Sequence, residues 1–298
     1  MILRQGSTGE YEIYNLGNNT VLGASALGQV GTEWVFMGLG DFNGADSTDM
    51  ILRDSNTGVF EVYDISNDTI TAAASMGQVG LEWQLAGFGN FNGPSGGTDM
   101  MLRNVETGVF ELYDIAKNAV TSANAFGQIG LEWQVAGFGD FNGDGTTDMM
   151  LRNTQTGFFE VYDINNSKLT SWNSLGQVGL EWQIAGFGAF DGDGTTGMML
   201  RNVNTGVFEL YDIQNNQVIS ASAIGPVGLE WQVAGFGPIA GPHTSDMVLR
   251  NTQTGAFEVY DITNNQLTGA ASLGQVGLEW QVGGIASDPL IHSPNILG

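Results

Sequence analysis

An all-β chain built from six like units is the fold class this sequence predicts, and three observations carry the prediction. Six tryptophans, Trp34, Trp83, Trp133, Trp182, Trp231 and Trp280, recur at steps of 49 or 50 residues. A motif close to Leu-Arg-(x)4-Gly-x-Phe-Glu-x-Tyr-Asp-Ile keeps the same step, with arginines at 4, 53, 103, 152, 201 and 250. Turn signals fall every 8–12 residues in a chain with 45 glycines, and no segment matches a helical period. A side chain present in every copy of a repeat is usually architecture, so function is sought where copies differ.

The unit that starts near Glu132 shows the elements in order. Residues 132–139 alternate large apolar with small or polar side chains, as a strand does. A turn-rich loop follows over 140–147. Residues 148–152 read as a second strand and 153–157 as a turn. Residues 158–164, aromatic and β-branched, read as a third strand. After a turn at 165–167, residues 168–175 form a weaker fourth strand. Four antiparallel strands per unit, six times over, describe a six-bladed β-propeller. A parallel β-solenoid is the alternative, but its coils are usually shorter and lack three hairpin turns per repeat.

The ends suggest how such a ring would close. The chain opens on a second strand (1–4) and finishes a first strand at 279–286. One blade would therefore combine 1–27 with 279–287, removing two open sheet edges. The other blades would be 32–77, 81–127, 131–176, 180–225 and 229–274. This makes 1–287 one propeller domain, with 288–298 as a tail.

Composition narrows the function classes. A net charge of −24, from 32 acidic and 8 basic residues, opposes nucleic acid and anionic membrane surfaces as partners. Without cysteine there is no disulfide, zinc–thiolate site or thiol nucleophile. No apolar run is long enough for a membrane-spanning helix. The first residues already lie inside a repeat, leaving no signal peptide in this chain. His243 and His292 have no repeating partners, and no triad, phosphate loop or histidine metal motif is present. A non-enzymatic role is expected, although the many glutamates leave a glycosidase-like pair conceivable.

One loop has the chemistry of a calcium site. Asp140, Asn142, Asp144, Thr146 and Asp148 place oxygens at alternate positions, Thr146 through its carbonyl, with Gly143 and Gly145 permitting the turn. An Asp- and Gly-rich hairpin loop is the bland alternative. A related loop keeps Asp41, Asn43 and Asp49 but has Ala45 in place of the middle ligand, which Asp46 could replace. The remaining copies are eroded. Asn92 precedes Pro94 in a lengthened loop ending at Asp99, Ala189 and Gly197 replace the first and last ligands of another, and Asp246 alone survives in a fifth. Calcium is expected as a local stabiliser.

The segment 137–148, Gly-Phe-Gly-Asp-Phe-Asn-Gly-Asp-Gly-Thr-Thr-Asp, resembles the FG-GAP and VCBS repeat families, and the likeness extends over nearly the whole chain. The resemblance implies propeller blades with a calcium loop between first and second strands. It also implies extracellular or cell-surface adhesion or ligand binding more often than catalysis.

The repeated Arg and Glu, such as Arg152 and Glu160 across one hairpin, suit structural ion pairs. The alternative, with Trp182, is a sugar or anion pocket between blades. The repeat tryptophans fit blade-to-blade packing. Trp172 stands alone in a fourth strand, as a contact residue or a tolerated variation. A monomeric, lectin-like glycan binder is the leading expectation, and a protein-binding adhesion propeller its rival.

Overall fold

The computed structural model describes residues 1–45, 47–93, 97–242 and 244–286. Asp46, His243, His292 and the expected tail lie outside the described residues.

The architecture is a six-bladed β-propeller of four-stranded antiparallel blades, without helices among the described residues. Blade 1 contains β1 (Ile2–Gln5), β2 (Glu10–Gly17) and β3 (Thr20–Gln29). Blade 2 follows with β4 (Trp34–Gly40), β5 (Asp49–Asp54), β6 (Val59–Ser66) and β7 (Thr69–Gln78). Blade 3 holds β8 (Trp83–Gly89), β9 (Asp99–Asn104), β10 (Val109–Ala116) and β11 (Ala119–Gln128). Blade 4 holds β12 (Trp133–Gly139), β13 (Asp148–Asn153), β14 (Phe158–Asn165) and β15 (Lys168–Gln177). Blade 5 is β16 (Trp182–Gly188), β17 (Gly197–Asn202), β18 (Val207–Gln214) and β19 (Gln217–Pro226). Blade 6 is β20 (Trp231–Gly237), β21 (Asp246–Asn251), β22 (Ala256–Thr263) and β23 (Gln266–Gln275). The last strand, β24 (Trp280–Gly284), pairs antiparallel with β1, with Arg4 opposite Gln281, and completes blade 1.

Two kinds of turn define the two faces. Third and fourth strands meet in two-residue hairpins whose central residues, such as Asn166 (φ 50°) and Ser167 (φ 56°), are both left-handed. That is the twist-matched type I′ turn, and Asn accepts it readily. These hairpins share one face with the loops joining first and second strands. On the opposite face the second and third strands are joined by Asx turns; Asn153 Oδ1 accepts the amides of Gln155 and Thr156, both at 3.0 Å. There Gly157 (φ 79°) lies so close to the next crossover that a Cβ would sit 2.1 Å from the Val178 carbonyl oxygen.

The core consists of apolar layers between blades. Between blades 3 and 4, Phe91, Met101, Phe110 and Leu112 meet Phe138, Met149, Leu151 and Ile164, all buried. Each first-to-second-strand loop supplies a wedge, and Phe42, Phe91, Phe141 and Phe190 each meet the next blade's phenylalanine edge-on at 5.4–5.7 Å. Glycine makes the approach possible. A Cβ on Gly87 would lie 2.2 Å from the Phe138 ring, and one on Gly137 2.2 Å from Phe187.

Candidate functional site

The repeated arginine is spent on the backbone of the next blade. Arg152 on β13 donates through Nη1 to the Trp182 carbonyl and through Nη2 to Gly179 (2.9 Å) and Val178 (3.4 Å). Its guanidinium carbon lies 5.0 Å from the centre of the Phe159 ring, a cation–π arrangement. Burial lowers its pKa while the Glu181 charge supports the cation. Arg53, Arg103, Arg201 and Arg250 repeat this clasp, and Arg250, reaching Trp280 and Gly277, fastens blade 6 to the closing strand.

The expected Arg152–Glu160 ion pair is not formed. In the β13–β14 register Arg152 stands opposite Phe159 while Glu160 stands opposite Leu151. Neighbouring strand residues point to opposite faces, so Arg152 looks towards blade 5 and Glu160 towards blade 3. Glu160 instead accepts the Tyr162 hydroxyl at 2.9 Å. Burial, then that hydrogen bond and the Glu160 charge, push the Tyr162 pKa to about 12. The Trp182 ring packs in the layer between blades 4 and 5. Arg152, Glu160 and Trp182 therefore do not converge on one pocket.

Trp172 has a different environment. It lies on the outer strand β15, is 60% exposed, and is the Cα partner of Tyr162. Alanine occupies the corresponding position in the other blades: Ala24, Ala73, Ala123, Ala221 and Ala270.

The acidic loop of blade 4 is organised around its own amides. Asp140 Oδ1 accepts the Gly143 and Asp144 amides (2.6 and 3.2 Å), and Oδ2 accepts that of Gly145 (2.9 Å). Asn142 Oδ1 accepts the Asp144 amide, and Asp144 Oδ1 that of Thr146, both at 2.8 Å. Thr146 is fully buried, with its hydroxyl 2.8 Å from the Ile164 carbonyl oxygen. Asp148, also fully buried, accepts Phe141 and Ile164 amides at 3.2 and 3.0 Å. Burial drives its pKa to about 8 despite those amides, and burial also raises Asp140. Carboxylate oxygens carry further lone pairs, so this donor set is chemically compatible with a hard cation. In blade 2, Asp41 accepts the Gly44 amide (2.7 Å), Asn43 the Ala45 amide (2.7 Å), and Asp49 the Phe42 amide (3.3 Å).

Blade 5, which looks eroded in sequence, assembles a carboxylate group by tertiary contact. Ligand oxygens of Asp191, Asp193 and Asp212 lie within 4.8 Å of one another. Burial raises Asp191. Burial works in the same direction on Asp193, but hydrogen bonds from the Thr195 amide and hydroxyl, together with those to Asp191 and Gln214, outweigh it and hold Asp193 low. Asp212 comes from the third strand, so loop spacing alone could not reveal it.

No family model matches the chain, and no curated protein matches it in sequence. Solved structures share its shape. A Tc holotoxin pore of Photorhabdus luminescens is similar at 10% identity and a TM-score of 0.52, over 97% of this chain and 15% of that one. The dihydro-heme d1 dehydrogenase NirN in complex with DHE matches at 12% identity and 0.46, over 92% and 57%. The Dos1 propeller matches at 11% and 0.44, over 90% and 66%. The chain thus spans 15–66% of these structures' lengths. At 10% identity the likeness to the Tc holotoxin pore is one of fold alone, and the class of protein defined by the blades themselves is the six-bladed β-propeller.

Proposed function

We propose that this propeller is a non-enzymatic binding module and that its ligand is a glycan. The observation behind the reading is Trp172, a large aromatic 60% exposed beside Tyr162, while the repeated Arg clasps backbone and the repeat Trp packs between blades. An indole face matches the apolar face of a sugar ring. The −24 charge suits a neutral or cationic ligand over an anionic one. An extracellular or cell-surface setting goes with this role, with calcium bracing the acidic loops. A glycan array probed with the wild-type protein in calcium tests the reading, and failure to bind any glycan sinks it.

One feature favours a protein ligand instead. Leu81, Leu131, Leu180, Leu229 and Leu278, each 50–54% exposed, recur on the face opposite the acidic loops. Capture of a protein partner sensitive to charged substitutions at these leucines would support adhesion.

A further inference from the structure

We infer that the binding surface is the outer part of blade 4 facing blade 3, and that it takes a neutral oligosaccharide laid along β14 and β15. The inference rests on the glycan reading and adds the position, length and charge of the ligand. Blade 4 departs from its siblings at two exposed positions on one face of one hairpin. Trp172 replaces alanine, and Phe158, 42% exposed, stands where other blades carry Glu10, Val59, Val109, Val207 and Ala256. Strand alternation puts Phe158, Glu160 and Tyr162 on the same face, and Trp172 joins it as the partner of Tyr162.

The strip therefore has an aromatic group at each end and an acceptor between. Phe158 and Tyr162 are four strand residues apart, a rise of about 13 Å. That separation exceeds one sugar ring, so both platforms can be used together only by an oligosaccharide. Glu160, whose Oε2 already accepts the Tyr162 hydroxyl, sits between them with further lone pairs for ligand hydroxyls. Ser174, opposite Glu160, adds an exposed hydroxyl. Arg152 is on the other face of the blade, and Lys168 pairs with Asn165 rather than with a residue of this strip. Arg103 reaches this seam from blade 3, but its guanidinium is engaged by the Trp133, Ile129 and Gly130 carbonyls. The strip's own residues thus offer a carboxylate and no cation, which suits neutral hydroxyls and repels sulfated or uronic sugars.

The variants Trp172→Ala and Phe158→Val install residues that sibling blades already carry, so both should fold. Wild type and variants would be titrated with mono-, di- and trisaccharides of the neutral glycan that binds best on the array. Trp172→Ala should weaken every length by about tenfold or more, the scale of one lost aromatic contact. Phe158→Val should weaken only the longer ligands. Unchanged affinity in both variants would overturn this site while leaving the glycan reading intact. A preference for sulfated or sialylated glycans would overturn the neutral class. No glycan binding by the wild type would remove the reading itself, and edge-strand peptide capture by β15 would then be sought.

Discussion

Asn15 donates its side-chain amide to the Asp68 carboxylate at 2.6 Å, across the seam from blade 1 to blade 2. At the other seams the polarity is reversed. Asp64 accepts from Asn118 and Asp163 from Asn216, both at 2.7 Å, and Asp261 accepts from Asn19 at 2.8 Å. Asp114 accepts from the Ser167 hydroxyl, and Asp212 from Asn265. A belt of hairpin-to-strand hydrogen bonds thus circles the ring, and one link has exchanged donor and acceptor. Asn15→Asp should set two carboxylates against each other and lower the melting temperature, by about 1 kcal/mol in stability at this exposed site. Adding Asp68→Asn should restore it by recreating the link used elsewhere. No recovery in the double variant would argue against the belt.

The arginine clasp predicts unequal costs at equivalent positions. Arg53 reaches the Trp83, Val79 and Gly80 carbonyls, whereas Arg4 donates to Gly31 and Thr32 at 3.5 and 3.2 Å, with a longer cation–π contact to Tyr11 than Arg53 makes with Phe60. Arg53→Ala should cost about 2–4 kcal/mol by chemical denaturation, since buried carbonyls lose a charged donor, and Arg4→Ala about 1 kcal/mol. Equal losses would contradict this account.

Steric need at the blade interfaces can be tested without altering backbone preference. Gly87→Ala and Gly137→Ala each drive a methyl group into the neighbouring phenylalanine ring, and should cost about 1–3 kcal/mol by overpacking. Gly23→Ala, with open space around its Cβ position, should be close to neutral. Thermal melts of the three variants would rank them.

Asp99 predicts a pH dependence. Burial outweighs its amide hydrogen bonds from Ile115 and Phe91 and raises its pKa from 3.8 to about 7. The folded state then binds more protons than the unfolded state between those values. The contribution to stability therefore falls as pH rises from about 4 to 7 and is constant above. Asp99→Asn should flatten that part of the profile. A parallel profile in the variant would show that Asp99 does not titrate in this window.

Calcium binding would appear as a stability difference. If the folded protein alone binds the ion, calcium at a hundredfold excess over Kd adds about 2.7 kcal/mol, and a chelator should remove it. Asp144→Ala and Asp193→Asn, made separately, would assign the effect to blade 4 or blade 5. An unchanged melt on chelation would dismiss both loops as cation sites.

The sequence by itself determined the class of fold, because its two periods are physical ones. Alternation within a strand puts one face in the core, and the repeated tryptophan and arginine count the blades. It also pointed to the closing strand, and β24 does pair with β1. Asn15 and Asp68 carried a readable signal as well, being the two places where a repeated Asp and a repeated hairpin donor change together. Tertiary structure alone decided what the side chains touch. Arg152 and Glu160 seem adjacent across a hairpin, yet one residue of register sends them to opposite faces. The loop at 189–197 looked depleted until the third strand brought Asp212 to Asp191 and Asp193. Phe158 and Trp172 are 14 positions apart, and only β14–β15 pairing puts them on one strip. Local spacing encodes strands and turns, but which face a residue shares, and with which blade, depends on register and on packing between segments far apart in the chain.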